Sequence, residues 1–207
     1  MFYWPPVAHL TLNDKGVPLT DPSTLQCGDK PVFLAGDANQ QSPLLHEAAA
    51  EGRIAGANAG RYPELKTAKR YVPFSVVFSS PQITRVGTVP CQMTAAERHN
   101  YAEGCCSFED QGRSKVIAKN QGILKVYASR DSGVFSGAEM LGPAAEHIGH
   151  LLAWAAQQQM TVSSMLAMPF YHPVIEEGLR TALKDLQRNL QKSSAEVNPC
   201  LECGPGT

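Results

Sequence analysis

The sequence predicts an α+β fold, an antiparallel sheet backed by helices, from about residue 72 onward. Two observations carry that expectation. Short strand-like runs punctuated by turn residues crowd residues 72–141, and helical periodicity takes over from Pro143 to Gln191. A third observation sets the front of the chain apart. Residues 32–60 read as a buried strand, a turn and a small-residue helix, a pattern unlike the sheet that follows.

In the front segment, Pro31-Val32-Phe33-Leu34-Ala35 is a short apolar run typical of a strand covered on both faces. Gly36-Asp37-Ala38-Asn39 breaks it, and a helix is expected from Pro43 to about Ala59. Gly52, Gly56 and Gly60 lie four apart and share one face of that helix. Each costs ~1 kcal/mol against alanine, which implies a face that approaches another backbone closely. Glu47, Glu51 and Arg53 exclude a membrane helix there. Residues 61–72 are polar and read as a connector.

Strands are expected at Phe74–Ser79, Ile83–Gly87, Ser114–Lys119, Ile123–Ala128 and Val134–Leu141. Thr94-Ala95-Ala96-Glu97 is a capping box that opens a short helix. Helices are expected over Pro143–Gln158, Thr161–Met168 and Pro173–Gln191, the last beginning with proline at its first helical position. Leu179, Leu183, Leu186 and Leu190 form its apolar stripe. Residues 191–207, rich in Ser, Pro and Gly, are expected to be a mobile tail.

Composition narrows the functional classes. The chain has 207 residues, 43% of them hydrophobic, with 18 basic against 19 acidic side chains. A net charge of −1 argues against holding nucleic acid by phosphate neutralisation. No apolar run reaches the ~18 residues of a membrane span. Met1 to Pro6 carries neither the basic region nor the apolar core of a secretory signal. The cysteines at 27, 91, 105, 106, 200 and 203 are irregularly spaced, so reduced thiols in a cytoplasmic protein are expected. Cys200-Leu201-Glu202-Cys203 alone has the spacing of a redox or metal pair, and it reads either as a mobile shuttle or as two exposed thiols.

Two constellations could carry chemistry. Asp37 follows a buried run and a glycine, where a carboxylate can accept ligand hydroxyls or merely cap the turn. His172-Pro173-Val174-Ile175-Glu176-Glu177 places an imidazole at a helix start with a carboxylate within reach of its N–H. That pairing fixes a tautomer and builds a general base, but it also fits a helix-starting histidine with glutamates favoured by the helix dipole. The remaining histidines have no ligand-like companions, and no metal site is expected.

Taken together, these segments resemble the C-terminal half of a flavoprotein disulfide reductase, a pyridine nucleotide-disulfide oxidoreductase. Val32 to Ala38 is similar to the family's second flavin motif, and Leu44-Leu45-His46-Glu47-Ala48 to the helix after it. The resemblance implies that Asp37 binds the ribityl chain of FAD and that Leu44, Leu45 and His46 lie against the flavin ring. Pro73-Phe74 through Val86-Gly87, Gly122–Lys125 and Gly137–Pro143 resemble the interface domain, and Ala145–Ile148 its next helix. His172-Pro173 with Glu177 has the spacing of the catalytic-base dyad. Within the family the likeness is nearest to dihydrolipoamide dehydrogenases, which pass electrons from a dithiol to a redox disulfide, FAD and then NAD. On that likeness His172 takes the thiol proton at the other subunit's disulfide and Glu177 orients it.

The implied organisation is a remnant of an α/β FAD-binding domain over residues 1–70, a complete interface domain over 72–190 and a tail over 191–207. The implied partners are a second copy in a homodimer, a lipoamide-like dithiol or disulfide, and a 2-oxo acid dehydrogenase complex. Glutathione reductases share the dyad, and mercuric reductases end in a cysteine pair, so both remain alternatives, as does a non-catalytic dimerisation module. The departures are as informative. Neither a GxGxxG nor a Cys-x-x-x-x-Cys occurs in these residues, and Tyr3-Trp4 stands where the family usually has Gly-Arg. The expectation is therefore a fragment about half the length of the full enzyme, inactive alone, that holds neither FAD nor NAD.

Overall fold

The computed structural model describes residues 9–192 and the backbone of Leu201 and Glu202. The chain divides between Tyr71 and Val72 into two compact units.

The first unit is built on turns. Its bridges are isolated, at Leu12 with Pro18, Thr20 with Cys27 and Gln26 with Phe33. Val17, Cys27 and Leu34 form a small core with Leu10 and Val32. The expected strand at 31–35 is therefore absent as a ladder element. Its backbone meets only the 25–27 segment, where Cys27 donates to Val32 O at 2.8 Å and Leu34 to Leu25 O at 3.0 Å. A buried strand needs a neighbour on each side, and among the described residues this run has one on a single side. Gly36–Asn39 forms one turn of 3-10 helix, and helix α1 spans Leu45–Ala59. It starts two residues later than expected because Leu44 is extended. Among the described residues nothing lies within 4 Å of a side chain built at Gly52 or Gly56, so the close approach expected of that face is not made among them.

The second unit is an α+β sandwich of two layers. The strands are β1 (Phe74–Val77), β2 (Gln82–Gly87), β3 (Tyr101–Ser107), β4 (Ile123–Ser129), β5 (Phe135–Gly142) and β6 (Leu201–Glu202). They run in the order β1-β2-β5-β4-β3-β6, antiparallel throughout except for β6, which lies parallel to β3. Helices α4 (Ala145–Gln157), α5 (Val162–Leu166) and α6 (Glu177–Leu190) follow. α4 and α6 cover one face, where Ala102, Cys106, Leu124, Val126, Ala138 and Met140 point inward under Ile148, Leu152, Leu183 and Leu186. The other face carries a cross-strand row of exposed apolar side chains, Val77, Ile83, Leu141 and Ile123.

Strand β3 and the short helix α3 (Gly112–Val116) depart from expectation, which put a strand at Ser114–Lys119 and nothing at 101–107. Gln111 caps α3 by accepting the Ser114 N–H at 2.7 Å, so the 114–119 region starts as a helix. Gly104 disguised β3. A side chain there would stand 2.3 Å from Leu186 N and 2.4 Å from Ala182 O, so a β-poor glycine is required where α6 crosses the strand. The capping box at Thr94 forms as read: Thr94 N–H donates to Glu97 Oε2 at 2.7 Å, opening α2 (Ala95–Arg98). α6 begins at Glu177, so Pro173 is not its first residue; His172–Glu176 form a loop with a cis His172–Pro173 peptide.

Cys27 and Cys91 are free thiols, whereas Cys105 and Cys106 are disulfide-bonded, against the expectation of reduced cysteines. The readings of residues 1–6, of the bulk of the tail and of Cys200 and Cys203 lie outside the described residues. Among the described residues no helix is long and apolar enough to cross a membrane.

Candidate active site

α6 positions the central pair. Glu177 is its first residue, so its carboxylate sits where the helix dipole favours negative charge. One oxygen, Oε1, lies 2.8 Å from His172 Nδ1. The other, Oε2, accepts the Val174 N–H at 3.1 Å. The carboxylate therefore bridges a ring and a peptide of the same loop, which fixes its own plane. A carboxylate only accepts, so Nδ1 carries a proton, and in the neutral ring that leaves the lone pair on Nε2. The His172 side chain is 70% exposed and that of Glu177 only 19%. The result is a half-buried orienting acid behind an accessible imidazole, the geometry a general base requires.

The loop is tied from a second direction. Gln111 is buried and donates from Nε2 to Val174 O at 2.7 Å. Phe108, fully buried, lies against Gly178, where a side chain would be 2.8 Å from its ring.

The flavin-motif residues lie in the first unit. Asp37 is exposed in the 3-10 turn, and its carboxylate has no hydrogen-bond partner among the described residues. Leu44 is the extended residue ahead of α1 and provides no side-chain cap, so the first amides of the helix are open to an acceptor. Leu45 is 87% exposed. His46 is exposed, with Nε2 3.9 Å from Glu47 Oε1.

Sequence reasoning missed what holds this turn. Glu51 is fully buried; its Oε2 accepts from Gly36 N at 2.6 Å and Asn39 Nδ2 at 2.7 Å. Arg70 then donates to Glu51 Oε1 at 2.6 Å and Glu47 Oε2 at 2.9 Å. The one available signal was Glu47 and Glu51 four apart in an alanine-rich helix, with a cation later in the same unit. The open helix amides can donate to acceptor atoms and the Asp37 carboxylate can accept from hydroxyls, the donor and acceptor set that a hydroxyl-bearing cofactor such as FAD would need. Among the described residues no three His, Cys, Asp or Glu side chains converge as metal ligands.

Residues 73–183 match the family described as pyridine nucleotide-disulphide oxidoreductase, dimerisation domain. The match covers more than half of the chain, which therefore belongs to that family. Dihydrolipoyl dehydrogenase of Haloferax volcanii is 27% identical over 157 residues, 74% of this chain and 32% of that protein. Dihydrolipoyl dehydrogenase of Bacillus subtilis is 28% identical over 171 residues, 81% of this chain and 35% of that one. The crystal structure of LpdA from Mycobacterium tuberculosis superposes with a TM-score of 0.71 at 24% identity, covering 85% of this chain and 38% of the other. That likeness bears on the fold. The matched stretch thus covers about a third of the length of these relatives. The chain contains, over residues 73–183, a dihydrolipoyl dehydrogenase-like dimerisation domain of the flavoprotein disulfide oxidoreductases.

Proposed function

We propose that this chain supplies the dimerisation and catalytic-base portion of a flavoprotein that oxidises a lipoamide-like dithiol and delivers the electrons to NAD. The 2.8 Å contact between His172 Nδ1 and Glu177 Oε1 carries the reading. With Nδ1–H held by the carboxylate, Nε2 accepts the proton of an incoming thiol. Glu177 stabilises the imidazolium that results, and the thiolate left behind is the species that exchanges with a disulfide. Bound flavin would supply the two-electron acceptor. Asp37 would take ribityl hydroxyls, and the α1 amides beside Leu44, Leu45 and His46 would lie against the electron-poor ring. The names of the relatives support a dihydrolipoyl substrate; a 2-oxo acid dehydrogenase complex is the partner proposed to carry it.

The tested form is a graft. Residues 72–192 replace the corresponding segment of the Bacillus subtilis enzyme, and dihydrolipoamide oxidation with NAD is assayed. Turnover within tenfold of the parent supports the reading; a folded, flavin-loaded but inactive graft refutes it. The chain alone is expected to be inactive and colourless.

We also propose a homodimer. Leu151, Trp154, Met168 and Tyr171 are exposed around an apolar groove of about 550 Å³ between α4, α5 and α6. Trp154 alone is 70% exposed, a large apolar surface for a side chain that interfaces favour. Trp154→Asp is expected to convert a dimer to monomer in sedimentation; a monomeric parent chain at high concentration contradicts the proposal. A cytoplasmic site is proposed from the charge balance and the lack of a membrane-crossing helix among the described residues. The bonded Cys105 and Cys106 weigh against it, and a thiol titration of freshly lysed cells decides.

A further inference from the structure

We propose that Gln111 is a positioning residue for the His172–Glu177 pair, acting through the Val174 peptide; this rests on the base reading above. Gln111 is buried, on the turn between β3 and α3, far from the dyad in sequence. Its Oε1 accepts the Ser114 N–H at 2.7 Å and its Nε2 donates to Val174 O at 2.7 Å. A helix cap needs only the acceptor, and serine or aspartate does that more cheaply. The amide is needed for the second bond.

Val174 is consequently held at both ends, its carbonyl by Gln111 and its N–H by Glu177 Oε2 at 3.1 Å. Those two bonds define a chain: Gln111, Val174, Glu177, His172. If Val174 shifts, Glu177 Oε2 loses its donor, the carboxylate rotates, and Oε1 leaves the plane in which it meets Nδ1. The same turn carries Phe108, whose buried ring fills the space over Gly178, the residue after Glu177. The β3–α3 turn thus grips the dyad from beneath α6 and from the loop side. Ile175 and Glu176 are tied to α6 by their carbonyls, which accept from Gly178 and Leu179 at 3.0 Å each, but at the front of the loop the His172 ring is mostly exposed and Pro173 has no N–H to donate.

The test uses the intact chain. Gln111→Met keeps the bulk of the side chain and removes both bonds. Amide exchange of Val174 is expected to rise about tenfold, equivalent to about 1.4 kcal/mol, while exchange at Leu183 and Leu186 in α6 changes less than threefold. The nitrogen shifts of His172 are expected to move from a single Nδ1–H form toward a mixture of tautomers. Should Gln111→Met fail to fold, Gln111→Glu retains the acceptor for Ser114 and deletes only the donor to Val174, and the same two readouts apply. Equal acceleration at Val174 and in α6, or an unchanged tautomer, overturns the proposal by reducing Gln111 to a packing residue. The base reading fails separately. If His172→Ala leaves the graft active, His172 is not the base, yet the exchange and tautomer data still decide the role of Gln111.

Discussion

Gly104→Ala should detach α6 from the sheet, and the size of the effect can be worked from the crossing. A methyl group there would stand 2.3 Å from Leu186 N, 2.4 Å from Ala182 O and 2.5 Å from Leu186 Cβ. Non-bonded heavy atoms prefer ~3.5–4 Å, so β3 and α6 must part by about 1 Å or more. Two of the three atoms are backbone, so no rotamer change relieves the clash. Overpacking of this kind costs about 1–3 kcal/mol, and here the upper end applies because Leu183 and Leu186 are fully buried in the same seam. Alanine recovers about 0.4–1 kcal/mol by restricting the unfolded chain. The net loss is about 2 kcal/mol. With a urea slope of about 2 kcal/mol per molar, the midpoint should fall by about 1 M. Far-UV circular dichroism reads it, since α4 and α6 are the two longest helices of the second unit. Gly112→Ala is the control: nothing lies within 4 Å of that position, so the midpoint should hold or rise. A Gly104→Ala midpoint within about 0.3 M of the parent would refute the seam.

Other outcomes follow from buried charges. Burial pushes the Asp185 carboxyl above its ordinary value, though the Cys105 N–H donated at 3.0 Å opposes this. A carboxyl raised in the folded state binds its proton more tightly there than in the unfolded chain, so stability is greatest at low pH. It falls as pH rises through the folded value. Asp185→Asn should flatten that decline in a urea series from the acid range to neutrality; an unchanged slope contradicts it. In the first unit, Glu51→Ala leaves Arg70 half-paired and Gly36 N without its acceptor, a loss of about 3 kcal/mol that should show as faster amide exchange through α1. Exchange unchanged at Gly36 and Asn39 contradicts the proposed anchor. Burial raises the Tyr127 hydroxyl, helped by Glu103 and Glu139 nearby, so it should stay protonated in an alkaline absorbance titration that ionises the exposed tyrosines. Tyr127→Phe should leave that curve unaltered.

Much of the second unit was legible because its signals are local. Thr94 and Glu97 specify their own helix start, and the leucine stripe of α6 specifies its buried face. Where the reading failed, the cause lies elsewhere in the chain. β3 was hidden because Gly104 answers to Ala182 and Leu186 of α6, about eighty residues away in the sequence. The strand at 31–35 was over-read because apolar runs look alike whether or not ladder partners exist beside them. The dyad was legible as spacing alone. Its exact support was not: Gln111 sits sixty-three residues before Val174, and no local pattern links a cap residue to a distant carbonyl.

The central claim is that His172, oriented by Glu177, takes the substrate proton. The direct measurement is kcat for dihydrolipoamide oxidation by the graft carrying His172→Ala, beside Glu177→Ala, at one pH and saturating substrate. A fall of about 10²–10⁴ for His172→Ala is expected, with a smaller fall for Glu177→Ala and flavin content unchanged in both. A His172→Ala graft within about twofold of its parent in kcat would contradict the account.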